Sequence, residues 1–247
     1  MHPSAMQNGS RFFDTYVRDM AGPFVVDIGS QDVCGSLKSV LPSNARYLGV
    51  DMVAGKGVDL VIEDPYSLPL ADASVDAVVS SSCFEHSELF WVAFLEMMRV
   101  LKPHGLLYLN APSNGPVHRY PVDCWRFYPD SGLALQRWAN RNGFDALLLE
   151  SYISDQSDGY WNDFVCVMLR DAKHAPAYPR RIVQAATDFS NARCHPDPDR
   201  IINPQEMPED LRLAMRERER EAARADRSLR SVLRRFERHV RRTLRGA

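Results

Sequence analysis

An acid ending an apolar run, a glycine just after it, and a second acid about twenty residues further on make a ligand-binding arrangement. In residues 24–35, FVVDIGSQDVCG, the run Phe24-Val25-Val26 leads to Asp27; Gly29 opens a polar turn through Ser30 and Gln31, and Gly35 closes it. The later segment YLGVD ends in Asp51, with Met52 beyond it. A glycine lets a backbone turn approach a ligand closely. A carboxylate at the second strand end can accept hydrogen bonds from both hydroxyls of a ribose. This is the chemistry of nucleoside recognition. The plainer reading of the segment alone is a βα turn in which the acid caps a neighbouring turn.

The turn also discriminates between nucleosides. A dinucleotide needs G-x-G-x-x-G, so that a pyrophosphate can rest on bare backbone at a helix N-terminus. Here Gln31 and Val33 stand where more glycine is expected, and Asp27 puts a negative charge beside the turn. That suits a cationic, phosphate-free ligand. S-adenosylmethionine (SAM), with its adenosine, amino acid and sulfonium, fits better than NAD.

The elements that must hold these residues follow from the apolar pattern. Helical spacing of Phe12, Phe13, Tyr16, Val17 and Met20 predicts a helix over 10–21, stopped by Gly22-Pro23. Strands are expected at 24–28, 46–51, 58–62, 75–80, 106–110, 146–153 and 164–169, with helices near 34–41, 88–102 and 131–142. Alternating strands and helices imply an α/β fold with a doubly wound, Rossmann-like, mostly parallel sheet of seven strands. The short connection between the last two strands predicts an antiparallel hairpin at one sheet edge. Residues 1–170 are thus read as one domain with an N-terminal lid helix, 171–206 as an irregular Pro-rich strap or linker, and 207–247 as a basic amphipathic helix.

Bulk properties narrow the class. The 247 residues are 45% hydrophobic and 25% charged, with a net charge of −2. That is an ordinary globular composition with no global demand for nucleic acid. The five cysteines are scattered and lack a C-x-x-C pair, which points to a reducing compartment. No secretory signal pattern or spanning apolar stretch is visible, and a cytoplasmic protein is expected. The histidines do not cluster with acids at ligand spacings, so no metal site is expected.

With the elements placed, residues 10–170 resemble the class I SAM-dependent methyltransferases of the type 11-like group. VVDIGSQDVCGS resembles the family's first motif, in a G-S-Q-D variant found in bacterial branches. Asp51 matches the ribose-binding acid. IEDPYSLPLADASVDAVVSSSCFEH resembles the acid, Leu-Pro, strand-opening aspartate and Glu-His series, and EMMRVLKPHGLLYLNAP the helix, Lys-Pro-x-Gly turn and strand that follow. The loop NAPSNGPVHRYPVDCWRFY resembles a narrower branch associated with bacterial surface-glycan clusters.

The resemblance implies SAM as cofactor and assigns roles. Asp27, Gly29, Ser30 and Gln31 would face its methionine part, Asp51 and Met52 its ribose and adenine, Asp64 and Pro65 the adenine, and Ser81 the cleft. Asp76 would cap a strand. His86, just after the fourth strand, is a candidate base for a hydroxyl acceptor, because its ordinary pKa is near neutral; in the other reading Glu85 and His86 only fix the loop. The loop 113–127 would overhang the substrate. His118 and Asp123 are further candidate bases, and Arg119, Tyr120, Trp125 and Arg126 candidate substrate contacts. Aromatic faces suit a sugar ring, and arginines suit a phosphate. In the alternative, Trp125 and Phe127 plug the core and Arg126 pairs with Asp123 or Asp130.

The expected activity is O-methylation of a saccharide or saccharide-linked small molecule in surface-glycan biosynthesis. Two rivals stand beside it: a non-catalytic SAM-fold module acting on a partner enzyme, and a methyltransferase of a non-sugar acceptor. The C-terminal helix has Leu229, Val232, Leu233, Phe236, Val240 and Leu244 along one face, with arginines on the others. It could dock on the domain or on a second copy as a homodimer, bind a partner protein, or lie peripherally on an anionic membrane. Nucleic acid is not expected as a partner.

Overall fold

The computed structural model describes residues 2–155, 161–208, 210–212, 214–227 and 230. It divides into two units, residues 1–205 and 206–247. The first unit is built on one nine-stranded sheet, in the order β3-β2-β1-β4-β5-β7-β6-β8-β9. Its strands are β1 (Phe24–Ile28), β2 (Arg46–Asp51), β3 (Leu60–Val61), β4 (Val75–Ser81), β5 (Leu101–Pro112), β6 (Leu147–Ser154), β7 (Asp163–Leu169), β8 (Phe189–Cys194) and β9 (Asp197–Ile202). The pairings from β3 through β5 are parallel; those from β5 through β9 are antiparallel. This is the expected α/β fold, a parallel core with antiparallel strands toward one side, but with nine strands in place of the seven expected, because β8 and β9 extend the sheet.

The central strands are buried on both faces, as their continuous apolar runs require. Val26, Ile28 and Val78 pack with Phe94, Met97 and Met98 of α2 (Phe90–Val100) and with Leu135 and Ala139 of α3 (Ser131–Arg141). Val25, Ala77 and Val79 point the other way, onto Phe12, Phe13, Tyr16 and Val17. Those four residues lie on α1 (Pro3–Phe12) and the π-helical turn Phe13–Val17 that continues it. The N-terminal helix therefore starts earlier than its apolar spacing predicts, because Pro3 is preorganised for a first helical turn.

Three expectations need correction. The helix near 34–41 is only the 3-10 turn Leu37–Val40, capped by the Ser36 side chain accepting from Lys38 N. Gly35 at φ +142° is not helical, and Pro42 holds Leu41 extended at ψ 139°, so too few residues remain for an α-helix. The β6–β7 hairpin is not at the edge, since β7 lies between β5 and β6 and β8 covers β6. Finally, residues 171–206 are not an irregular strap. They form the 3-10 turns Ala172–Ala177 and Ile182–Gln184 and then strands β8 and β9. Buried Glu150 helps to fix this segment, accepting from Tyr16 OH at 2.5 Å, Ile182 N at 2.7 Å and Val183 N at 3.2 Å.

In the second unit, residues 210–212, 214–227 and 230 are helical, and Arg230 pairs with Asp226 at 2.9 Å. The apolar face predicted for this helix, Leu229 to Leu244, lies outside the described residues. No helix among the described residues is long and apolar enough to cross a membrane.

Candidate active site

The strand order reverses between β1 and β4, the switch point at which open α/β sheets form their ligand crevice, outside the strands' carboxyl ends. Gly29 turns the chain at its rim, with φ +79° and its N–H donated to Val50 O at 2.9 Å. A Cβ on Gly29 would sit 2.6 Å from both Cβ and Sγ of Cys83, so close packing as well as backbone freedom requires glycine here. Asp51 joins two turns: Oδ2 accepts from Gln31 N at 3.1 Å and Oδ1 from Val53 N at 3.2 Å. This is the turn-capping role of the plainer reading. It leaves room for more, because a carboxylate has about four acceptor sites. Met52 and Val53 beyond it are 54% and 60% exposed.

Other predicted contacts are placed differently. Asp27 is 1% exposed and accepts from Tyr47 OH at 2.7 Å, so it stands behind the turn and not on its surface. Burial pushes its carboxyl up to about 7. Ser30 and Ser81 are buried, and each Oγ lacks a hydrogen-bond partner. Asp64 is exposed and shapes its own turn, accepting from Tyr66 N at 2.9 Å, with Pro65 half-buried between them. Asp76 is structural as expected, binding Phe24 N at 3.0 Å and Lys102 Nζ at 2.8 Å.

Past β4, the 3-10 turn Phe84–His86 carries Glu85 and His86 into the crevice wall. His86 Nδ1 donates to Val122 O at 2.5 Å, which leaves Nε2 as the acceptor nitrogen; that atom lies 3.7 Å from Glu85 Oε1. Burial lowers the His86 pKa below the ordinary imidazole value. Burial also pushes Glu85 up to about 8, and its Oε2 has no hydrogen-bond partner. The loop after β5 brings His118 edge-on against His86, with ring centroids 4.8 Å apart. Glu85, His86 and His118 each offer one ligand atom within 4.8 Å of the others. No such cluster is visible from sequence spacing, because it depends on how the loop folds back.

The loop itself corrects three assignments. Asp123 is clamped by Arg126 at 2.6 and 2.8 Å and accepts from His118 N at 2.7 Å. The guanidinium holds its carboxyl well below the usual range, which removes Asp123 as a base. Arg126 also donates to the carbonyls of Trp125 and Pro116 and lies over the Trp161 ring, so its donors hold the loop and do not reach out to substrate. Trp125 donates Nε1 to Ser87 O at 2.9 Å and packs edge-on against Phe90 and Trp91, plugging the core. Arg119 and Tyr120 remain exposed. Tyr120 OH reaches Gln31 Oε1 at 2.6 Å.

Trp161, Tyr47 and Cys83 belong to the site without having been singled out in the sequence. Trp161 packs on His118 at 4.8 Å, and a Cβ on Gly115 would meet its ring at 2.3 Å. It lies in the β6–β7 connection, far along the chain from its partners. The alternation of Tyr47 with Gly49 and Asp51 on β2 is the one signal that could have marked Tyr47.

Comparison with known proteins covers part of this geometry. Residues 31–109 match the family model of a methyltransferase domain. That span runs from Gln31 into β5 and includes Asp51, Ser81 and the Glu85-His86 pair, while Gly29, Ser30 and His118 lie outside it. The chain is 31% identical over 138 residues to an uncharacterized methyltransferase of Mycobacteroides abscessus, covering 49% of this chain and 52% of that one. It is 40% identical over 62 residues to malonyl-[acyl-carrier protein] O-methyltransferase of Methylococcus capsulatus, covering 25% and 22%. The chain thus spans about half of one curated relative and less of the other. The fold is similar to that of Burkholderia thailandensis 1,6-didemethyltoxoflavin-N1-methyltransferase, solved with its substrate and S-adenosylhomocysteine. The TM-score is 0.55 at 16% identity, over 68% of this chain and 78% of that one.

SAM is the methyl donor that such a domain implies, and the crevice fits it. Two buried serine oxygens stand without partners, Asp51 keeps acceptor sites open at the end of β2, and the apolar Met52 and Val53 lie exposed beside it.

Proposed function

We propose that this chain transfers a methyl group from SAM to a hydroxyl of a saccharide or saccharide-linked small molecule. The observation that carries the proposal is Asp51, set at the carboxyl end of β2 beside the Gly29 turn, in a crevice whose other wall holds two imidazoles. When bound, SAM supplies an electrophilic methyl carbon on a sulfonium. Asp51 would hold the ribose, Met52 would flank the adenine, and the turn at Gly29, Ser30 and Gln31 would receive the amino-acid end. Asp64 and Pro65 border the adenine side, and Ser81 lies at the floor.

A hydroxyl nucleophile must lose its proton as it attacks. The acceptor nitrogen of His86 is oriented for this by the bond from Nδ1 to Val122 O, and burial lowers the pKa of the ring, which favours its unprotonated form. His118, edge-on to it, is the second imidazole within reach. Exposed Arg119 and Tyr120 overhang the crevice and supply a charged donor and an aromatic face for a sugar or its phosphate. All five cysteines are unpaired, including exposed Cys34 and Cys124, which supports action in a reducing cytoplasm.

The test is to incubate the purified chain with methyl-labelled SAM and an extract of cells lacking the gene. The label is then divided into glycan, lipid, protein, nucleic-acid and small-molecule pools. Label in glycan or nucleotide-sugar pools, absent with Asp51→Ala, is expected. Label confined to another pool overturns the sugar acceptor, and no label in any pool overturns the transfer itself.

A further inference from the structure

We propose that Glu85, His86 and His118 form a binding site for one divalent first-row transition-metal cation, with zinc as the test ion. The three ligand atoms already lie within 4.8 Å of one another, and Glu85 Oε1 and His86 Nε2 are 3.7 Å apart. Two ligands at about 2.0–2.1 Å from a tetrahedral ion lie a little over 3 Å apart, so closure needs only small side-chain movement.

The independent observation is Glu85 itself. It is 1% exposed, its Oε2 has no hydrogen-bond partner, and its carboxylate supplies one atom of the cluster with the two imidazoles. A buried carboxylate oxygen without a donor is costly unless a proton or a cation completes it. His86 has an outer partner of the kind that orients a ligand imidazole, whereas His118 Nδ1 is near a carboxylate without a hydrogen bond. His86 Nδ1 donates to Val122 O, which directs Nε2 inward. Asp123 Oδ2 lies 3.4 Å from His118 Nδ1, and Arg126 fixes Asp123 in turn. Two nitrogens and one carboxylate favour zinc, manganese or iron over magnesium, which prefers oxygen ligands throughout. A three-residue set leaves a coordination position open toward the crevice.

The proposal rests on the ligand set and not on methyl transfer: a cation on His86 Nε2 occupies the lone pair a base would use, so the two are alternative uses of that atom, and this one is tested without SAM or acceptor. The chelator-treated full chain is titrated calorimetrically with zinc and, separately, with magnesium. One equivalent of zinc is expected, with magnesium weaker by about tenfold or more. His86→Ala and His118→Ala are each expected to weaken zinc by about tenfold or more, while His104→Ala, at an exposed ring, leaves it unchanged. Glu85→Gln keeps the buried shape and is expected to weaken zinc likewise. Should a variant misfold by circular dichroism, cobalt decides: visible d–d absorption with the wild-type chain and none with His118→Asn supports the site. Absence of zinc binding by the wild-type chain overturns the proposal, as does undiminished binding by the folded histidine variants or an equal response to magnesium.

Discussion

Tyr120 donates its hydroxyl to the side-chain carbonyl of Gln31 across 2.6 Å, joining the loop after β5 to the first turn after β1. The two segments lie far apart in sequence, and each carries a different half of the proposed chemistry. The bond makes the overhanging loop and the donor turn neighbours across the crevice.

Tyr120→Phe removes only this donor. Because Tyr120 is 56% exposed, the stability change is expected to stay below about 1 kcal/mol. The loop 113–127 should nonetheless exchange amide hydrogens faster, and KM for the acceptor should rise more than kcat falls. Unchanged exchange in the loop would show that the contact holds nothing.

Asp51→Ala should weaken SAM or S-adenosylhomocysteine binding by about tenfold or more, because charged acceptors make the stronger hydrogen bonds. It also releases Gln31 N and Val53 N, so a lower melting temperature is expected alongside. Calorimetric titration of the folded variant separates the two effects. Full affinity would remove Asp51 from the site.

Asp27 gives the molecule a pH dependence that can be worked out in sign. Burial raises its carboxyl from 3.8 to about 7, with Asp51 adding repulsion and Tyr47 OH opposing the shift. Between those values the folded chain binds more proton than the unfolded chain, so this group makes stability fall as pH rises through the window. The contribution is at most about 4 kcal/mol. Asp27→Asn, which can still accept from Tyr47, should flatten that part of the stability curve. An identical slope in denaturant titrations of both proteins from pH 4 to 7 would contradict the assignment.

Arg126→Ala strands Asp123, whose side chain is 2% exposed. A loss of about 2–3 kcal/mol is expected, near the lower end for breaking a buried pair. The pair's contribution should hold at neutral pH and fade only as pH drops through the depressed carboxyl pKa, below the ordinary aspartate range. Thermal melts that match the wild-type chain would show that the clamp does not anchor the loop.

The parallel core was legible because β1, β4 and β5 carry continuous apolar runs, a pattern that burial on both faces imposes. The turn at Gly29 and the strand-end position of Asp51 were legible because a glycine and an acid interrupt the apolar pattern there. β8 and β9 were not. FSNARC alternates weakly, and DPDRII is mostly exposed, so neither has the apolar periodicity by which strands are recognised. Within the loop, residue types alone could not separate recognition from anchoring. Trp125 and Arg126 have the chemistry of substrate contacts but spend it on Ser87 O and on Asp123. His118 joins His86 only through the loop's tertiary path.

The sheet's two outer strands bear on what its open edges can pair with. An open strand edge offers unpaired backbone groups to any other strand in solution. At one margin β3 is only two residues long, too short to template a ladder. At the other, β9 begins Asp197-Pro198-Asp199-Arg200, where a proline deletes a donor and three charges resist a close neighbour. The strand that looked least like a strand is thus suited to be last in the sheet. Replacing its charges with apolar residues would convert that margin into an adhesive one.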